Sequence, residues 1–573
     1  MEHRLTLRSF IAGFILANVL CAINSYLTLS FGIMEEGPAI AALFFYAAFF
    51  LSSRKVTTAE MVIVATMGSA GGSLGFIANF FAAQAMVVAK VGGLPYTIGQ
   101  MTLFALSTSV IGLATAILFR QILIVKDAEL PEGERLPWVG ARAVQGVIDP
   151  LVQAGDPLQP RYLLCFTLAA IFYVIFNDEG VGWFPSFGAF TIAGLSAYGV
   201  GIAFAPFVWG GSYLMGLRTC FGFLTGGVIL FCMAQGLPSP KVAGPFMPTS
   251  ANPQAYVWPG IMFLITSGLT SLALNWRVIG GAFRSLFNVT GGEDRDPIMS
   301  GRAAALFTLV ALVFVVTGLH IGFHVPVLLV LTMVVVGGLL LNLIATRAAA
   351  QTYFNPARVM GILLMGVNTL FGGSAAMTNL SGAGFIAGSG SQSGVLTNDL
   401  AFGFWYRLKS RWQFWTQAAT LITCTSVAAV TFWLIRQNFT IALDGGNLAA
   451  PVAKTWAAMA LLFDPASKVS LPPFAVQSMW IAGIVGVVYA LLEARPAIRK
   501  VLPGSIGIGL GLILPIGYDL GFFAGGIMMW VVLRRFLRIS DITCNTIAIS
   551  CIVGEGIGGI SQAVLKTVGL IAH

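Results

Sequence analysis

The sequence predicts an all-α polytopic membrane protein, and three observations carry that expectation. Hydrophobic residues fill 57% of the 573 positions and charged residues only 9%, against about 25% charged in ordinary soluble domains. Mean hydropathy is +0.87, so the chain holds far more apolar material than one water-facing globule buries. Apolar runs of about 20 residues, the length that crosses the hydrocarbon core, recur along the whole chain.

Candidate spans lie near residues 7–31, 37–52, 59–86, 97–124, 161–176, 186–206, 209–233 and 257–277. A second set lies near 302–321, 325–345, 356–373, 376–396, 412–436, 471–494, 500–517, 518–537 and 544–570. Several are short or interrupted by Gly and Pro, so the expectation is about 14 to 17 membrane segments, with re-entrant or broken helices among them. The first run follows only Arg4 and Arg8 and extends well past the apolar stretch of a signal peptide, so it reads as a retained span.

The polar connections divide the chain. Residues 1–277 form an N-terminal transmembrane half, 278–301 a polar linker with Arg284, Glu293, Asp294, Arg295 and Asp296, and 302–573 a C-terminal half. Residues 125–160 form another polar stretch, which includes the amphipathic LPWVGARAVQGVI, and 437–470 is polar with few basic groups. A weak internal repeat crosses the linker: AFAPFVWGGSYLMGLR (203–218) is similar to LGFFAGGIMMWVVLR (520–534), with Gly210–Gly211 on Gly525–Gly526. Duplication is a recurrent plan of secondary transporters, and shared Gly-rich composition is the competing explanation.

The net charge of +9 is gathered into small clusters between apolar runs: Arg54 and Lys55; Arg407, Lys409 and Arg411; Arg495, Arg499 and Lys500; Arg534, Arg535 and Arg538. This is the distribution of cytoplasmic loops under the positive-inside rule, and it places the N-terminus inside. No continuous basic face exists for nucleic acid. Seven Cys, including Cys21, Cys165, Cys220 and Cys551, lie mostly in apolar runs with no CxxC pair. His320 and His324 have no Cys or carboxylate beside them, so no metal site is expected. GxxxxGK[ST] and HExxH motifs are absent, and GGSLG (71–75), which has the letters of a nucleophile elbow, falls inside a span. An enzyme is not expected, nor a cofactor.

In lipid, a broken helix is tolerated only where its freed backbone groups face protein or a wet cavity, so helix breaks point to a substrate path. The first candidate is TTAEMVIVATMGSAGGSLG (57–75), in which Gly68, Ser69, Gly71, Gly72 and Ser73 are expected to unwind the chain, with Glu60 earlier on the same segment. Close helix packing through small residues is the alternative. The second is ATRAAAQTYFNPARVMG (345–361), where Pro356 removes an amide and Asn355 is pushed from helical geometry. Arg347 and Arg358 flank it, either facing a cavity or partner or snorkelling to the interface. The third is 380–417, too polar for a lipid-facing span, with Ser389, Ser391, Gln392 and Ser393 in succession and Asp399 following as a proton site or a cap. Glu555, alone in CIVGEGIGG, is the last candidate.

These segments, taken in order, resemble the oligopeptide transporter (OPT) superfamily over nearly the whole chain. The resemblance is to its prokaryotic branch, with the yellow-stripe-like metal-chelate transporters more distant. TLRSFIAGFILANVLCAINSYLTLSFG is similar to the opening span, with Asn24 and Tyr26. EMVIVATMGSAGGS resembles the family's Glu-Thr-SAGGS stretch, and WGGSYLMGLR its Gly-Tyr-Ile-Val-Gly-Leu stretch, with Tyr213. TRAAAQTYFNP resembles the stretch that ends in Asn-Pro, with Gln351, Thr352 and Asn355. NDLAFGFWYRLKSRWQFWTQ resembles the loop and helix start that carry Asp399, Gln413 and Gln417, and GLILPIGYDLGFFAGG and GEG resemble the closing segments, with Pro515 and Glu555. Gln351 stands where the family often has Glu and Ala401 where it has Lys; LPWVGAR lacks the acidic residue, and Glu35 and Glu36 are unusual. These departures bear on the substrate and the coupling ion.

The resemblance implies a proton-coupled symporter that imports small peptides or peptide-like compounds across the inner (cytoplasmic) membrane by alternating access. The alternatives are a metal-chelate transporter of the same family, or a passive channel or exporter on the same cavity. The expected substrate-binding residues are Asn24, Tyr26, Thr66, Ser69, Gly71, Gly72, Ser73, Tyr213, Gln351, Thr352 and Asn355. The expected proton-coupling residues are Glu60, Glu555 and Asp399. Expected partners are the substrate, protons and membrane lipid, with a homodimer left open and nucleic acid excluded.

Overall fold

The computed structural model describes residues 5–32, 37–51, 55–129, 135–154, 158–178, 180–185, 201–235, 257–274, 296–352, 356–443, 448–467, 475–514 and 516–571. Ten helices among them are long and apolar enough to cross a membrane, and four shorter apolar helices accompany them. No strand occurs among the described residues beyond one isolated bridge, Asn177 to Phe184. The expected all-α polytopic architecture is what the chain adopts. Most of the polar linker, residues 278–295, and most of the expected span 186–206 lie outside the described residues.

The helices of the first part are α1 (Leu7–Phe31), α2 (Pro38–Leu51), α3 (Thr58–Gly75), α4 (Ala78–Val91), α5 (Ile98–Arg120), α6 (Val139–Ala154), α7 (Leu158–Phe176), α8 (Pro206–Met215), α9 (Leu217–Gln235) and α10 (Val257–Leu274). Those of the second part begin with α11 (Gly301–Phe323) and α12 (Val327–Thr332), which continues through a wider π-helical stretch (Met333–Leu341) into α13 (Asn342–Thr352). Then come α14 (Ala357–Leu370), α15 (Ala376–Trp405), α16 (Ser410–Asn438), α17 (Pro451–Phe463), α18 (Ala475–Glu493), α19 (Pro496–Arg499), α20 (Ser505–Gly511), α21 (Ile516–Gly526) and α22 (Asp541–Thr567).

Glycines set the centre of the bundle. Association between helices in lipid has no hydrophobic drive of the aqueous kind, so close backbone approach and interhelical hydrogen bonds take its place. Along α3, a Cβ on Gly71 would collide with the Ala17 carbonyl oxygen of α1, one on Gly68 with the Ala41 Cβ of α2, and one on Gly75 would lie 2.8 Å from the Asn24 Cβ. The expectation that 68–73 unwinds is therefore corrected. Helix α3 runs unbroken through Gly75, all its residues from Glu60 onward are buried, and the turn falls at Phe76–Ile77 before α4 resumes. Glycine weakens a helix and also lets one approach another closely; here the contact with α1 holds the backbone helical.

Helix α15 explains the segment that looked too polar to span. It is one helix of 30 residues, and Ser381, Ser389, Ser391, Gln392, Ser393, Thr397 and Asp399 are all buried in protein. It escapes hydrocarbon by standing in the middle. Pairings of residues fix the directions around it: Gly388 against Thr108 and Gly112 against Ser389 make α5 parallel to α15, while Thr66 near Asp399 and Ser73 near Gln392 make α3 antiparallel. Helix α2 is only 14 residues long, and Gly37 before it packs on Gly68 and Gly72. It therefore starts beside the middle of α3 and runs back to where Arg8 lies over the Phe49 ring.

A second group, α9, α10, α18 and α20, flanks this bundle. Gly222 and Gly226 on α9 meet Gly507 and Gly511 on α20 backbone to backbone, with a Cβ on Gly226 standing 2.9 Å from the Gly511 Cα. Phe263, Ile508 and Leu512 form a small apolar cluster of their own with Ala482 and Tyr489, apart from the main core. The amphipathic stretch after residue 135 forms α6, which buries Ala141, Val144, Ile148 and Leu151 at helical spacing. Tyr406 donates to Asp149 of α6 at 2.6 Å, and burial together with that carboxylate pushes its phenol pKa up.

The packing at Gly71 gives a direct test. Gly71→Ala is expected to lower unfolding stability by about 1–3 kcal/mol through overpacking. Gly99→Ala, with nothing within 4 Å of the added Cβ, is expected to be neutral or slightly stabilising. Thermal unfolding of both variants in detergent measures the difference.

Candidate functional site

Two polar regions occupy the interior. The first is a seam along α15. Gln413 on α16 donates to Thr66 Oγ1 at 3.0 Å and to the Asp399 carbonyl at 2.7 Å. Ser73 meets Gln392 at 3.4 Å, and Asn342 donates to Ser389 at 3.0 Å. Gln417, one turn beyond Gln413, is fully buried, and neither end of its amide has a hydrogen-bond partner among the described residues. Helices α3, α13, α15 and α16 thus share a line of amides and hydroxyls at membrane depth. The bare backbone of Gly403 makes room for the Gln413 amide, because a Cβ there would collide with it.

The second region is a cavity of about 580 Å³. Its walls come from distant parts of the sequence: Ser267 and Ser271 of α10, Pro356 and Arg358 at the start of α14, Thr455 and Trp456 of α17, and Ile506 and Leu510 of α20. Arg218 and Glu493, an ion pair, and Arg499 stand on its rim. The break at Pro356 is what brings Arg358 here. Gly361 packs on Ala383, eight residues or about 10–12 Å into α15, so the start of α14 lies well inside the span. Trp456 Nε1 donates to the Arg358 carbonyl at 3.1 Å and steadies that start. No hydrogen bond or ion pair of the Arg358 guanidinium is formed among the described residues. An arginine this deep faces either a partner or a cavity, and this one faces the cavity.

The sequence-predicted residues distribute over these regions and beyond them. Thr66, Ser73 and Asp399 meet on the seam, and Ser69, Gly71 and Gly72 lie buried on the same helix. Asn24 packs at Gly75. Tyr26 lies against Gly559 on α22, the helix that carries Glu555, with Gly554 and Gly556 of that helix pressed on α7 and α1. Tyr213 stacks on Trp530 at 4.9 Å near Cys544 and Ala548, away from the seam. None of these lines the cavity. The side chains of Gln351 and Thr352, and all of Asn355 and Pro515, lie outside the described residues.

Glu60 has the environment of an ionised anchor. It accepts from Arg8 at 2.5 and 2.6 Å, from Thr6 at 2.6 Å and from the Thr57 amide at 3.1 Å, closing a capping box at the start of α3. Five donors on one carboxylate favour its charged form.

Sequence reasoning missed Asp519. It lies in the first turn of α21, is fully buried, and neither carboxylate oxygen has a hydrogen bond among the described residues. The rule that singled out Glu555, a lone carboxylate among glycines in an apolar run, applies equally to IGYDLGFFAGG. Groups of three or more His, Cys, Asp or Glu able to hold a metal ion are absent among the described residues.

Comparison with known proteins agrees with this architecture. Residues 4–566 match the family model described as OPT oligopeptide transporter protein. No curated protein matches the chain. A family match across nearly the full length makes the chain a member of the OPT family, a family of membrane transporters.

Proposed function

We propose that this OPT-family membrane protein is a proton-coupled symporter that imports small peptides or peptide-like compounds across the inner membrane by alternating access. The observation that carries the reading is Arg358, a guanidinium unengaged by the described residues in the wall of a cavity of about 580 Å³ inside the bundle. That volume falls within the roughly 300–1,000 Å³ of small-molecule sites. A peptide needs a cation for its carboxylate and an acceptor for its amine. Arg358 offers the first, and Glu493 and the hydroxyls of Ser267, Ser271 and Thr455 offer the second. Trp456 supplies an apolar wall for side chains.

The cavity opens beside Leu274, Ala494 and Arg499, all exposed, next to the basic cluster of Arg495, Arg499 and Lys500. Under the positive-inside rule that end is cytoplasmic, so this conformation faces inward. The seam of Thr66, Ser73, Gln392, Asp399, Gln413 and Gln417 suits a hydrogen-bonded relay for protons, with Asp399 on it and Glu555 on α22 as relay groups on the way to the coupling carboxylate. Glu60, held by Arg8, Thr6 and Thr57, serves as the anchor of α3. Substrate specificity beyond the cavity falls to Gln351, Thr352 and Asn355, which adjoin Pro356 in sequence.

A second reading draws on the same wall. Three arginines, Arg218, Arg358 and Arg499, against one Glu493 favour ligands with more than one negative charge, among them metal chelates. Competition by chelated iron or nickel and by glutathione against a labelled peptide separates the two.

Proteoliposome counterflow of di- to tetrapeptides, with and without an imposed pH gradient, tests the coupling. Uptake is expected to rise with an inward proton gradient, and indifference to the gradient removes the proton claim. Arg358→Gln is expected to weaken uptake of free-carboxylate peptides roughly 10–100-fold, the worth of a charge-assisted hydrogen bond at about 1.5–3 kcal/mol. Peptides ending in an amide are expected to be far less affected. Equal losses for both classes would sink the assigned role.

A further inference from the structure

Asp519 stands in surroundings that an ionised carboxylate does not tolerate. It is fully buried, neither oxygen is hydrogen-bonded, and no charged side chain lies close enough to compensate it among the described residues. Such an enclosure favours the neutral acid, because an unpaired charge buried in protein costs many times what protonation does. It ionises when water reaches it, and its place in the first turn of α21, at the positive end of the helix dipole, eases that ionised state.

Its contacts join it to the cavity. The carboxyl rests on the bare backbone of α9: a Cβ on Gly227 would stand 2.7 Å from Asp519 Oδ2 and 2.8 Å from its Cβ. One residue earlier, Gly226 begins the contact of α9 with α20 at Gly511, and Ile506 and Leu510 of α20 line the cavity. A path of direct contacts therefore runs from cavity wall to α20, from α20 to α9, and from α9 to Asp519. The α9–α20 contact is made largely of glycine backbone, tied at one end by the Gly504 amide on the Arg218 carbonyl, so a change in one helix is passed directly to the other.

The titratable groups on the elements packed around Asp519 leave it alone. On α9, Arg218 lies nine residues from Gly227, about 13 Å along the helix, and is engaged by Glu493 and the Leu502 carbonyl. Cys220 donates to the Ser212 carbonyl, and Cys232 is exposed. On α8, Tyr213 is stacked on Trp530. Beyond α21, Arg534 pairs with Asp541, and Arg535 sits near the end of the π-helical stretch. Tyr518 and Phe31 of α1 meet ring to ring, and Tyr26 of α1 lies on Gly559. None hydrogen-bonds Asp519. A single carboxylate without companion oxygen ligands suits a proton rather than a metal ion.

We infer that Asp519 carries the coupled proton and that its protonation state governs the packing of α21 on Gly227 of α9. This rests on the transport reading above. A proton from water on the more acidic side bonds to a carboxylate oxygen, and the neutral acid then enters the dry contact with Gly227. When α9 moves off α21 and water reaches the group from the inner side, the O–H bond breaks and the proton leaves to water there. The loaded crossing requires the neutral acid seated on Gly227, and the empty carrier returns with the group ionised and off that contact, so each import cycle moves one proton down the gradient.

The test uses the full-length protein in proteoliposomes and a labelled mixture of peptides of two to four residues. Asp519→Asn keeps the shape and removes the titration. It is expected to retain exchange with no gradient while gradient-driven accumulation falls roughly tenfold or more, within the usual range of coupling factors; Asp519→Glu is expected to restore part of the accumulation. Accumulation equal to wild type, or loss of exchange together with accumulation, overturns the assignment and leaves the transport reading standing. Failure of the wild type to exchange or accumulate any peptide sinks the transport reading, and the proposal with it. A measurement on the wild type alone guards against a variant that does not fold. A hydrophobic carbodiimide, which reacts with protonated carboxyls in apolar surroundings, is expected to modify Asp519, located by mass spectrometry, and to block accumulation. Modification confined to other carboxylates overturns the proposal.

Discussion

Backbone polar groups at membrane depth must be satisfied within the protein, and polar side chains there are kept away from lipid; that constraint organises this structure. Helix α15 carries Ser381, Ser389, Ser391, Gln392, Ser393, Thr397 and Asp399 in its buried length, and no lipid-facing position accommodates such a list. It is placed at the centre, and α3, α5, α13 and α16 close around it. The amides and hydroxyls that make the helix unfit for lipid also give the bundle its interhelical hydrogen bonds: Asn342 to Ser389, Gln413 to Thr66, Ser73 to Gln392. The architecture and the polar path have one cause.

Surrounding a polar helix so closely requires backbones to approach, and glycine does this in two ways. On α3 it abuts carbonyls and side chains of α1 and α2, a contact that locks because neighbouring residues interdigitate around it. Between α9 and α20 it abuts glycine, beside the hydrogen bond from the Gly504 amide to the Arg218 carbonyl. The same residue type thus serves two contacts, and what differs is the partner it meets.

That ambiguity also sets how far the sequence could be read. Class, most span positions among the described residues and the burial face of α6 follow from hydropathy and helical spacing, which depend on local composition alone; the stretch 437–470, read as a polar connection, instead holds the buried apolar α17, because its short apolar run is too brief to read as a span. The break at Pro356 was legible because proline acts on its own backbone, and Arg358 beside it was legible as a residue that faces a cavity or the interface. The run from Gly68 to Ser73 was read as unwound and is helical, since its outcome depends on Ala17 and Ala41, which no local pattern reveals. Asn24, Tyr26 and Tyr213 follow from resemblance, and their neighbours turn out to be α3, α22 and Trp530 rather than the cavity wall. Asp519 carried a readable signal, an acid in an apolar run, but its lack of a partner is a property of the folded chain.

The separate apolar cluster of Phe263, Ile508 and Leu512 with Ala482 and Tyr489 gives α10, α18 and α20 a cohesion of their own. Ile261, Ile265 and Leu510 of the same helices join the main core, so the trio is held both internally and to its neighbours. The helices around α15 are joined differently, by side-chain hydrogen bonds. Loss of an outer contact would leave the trio's own packing in place.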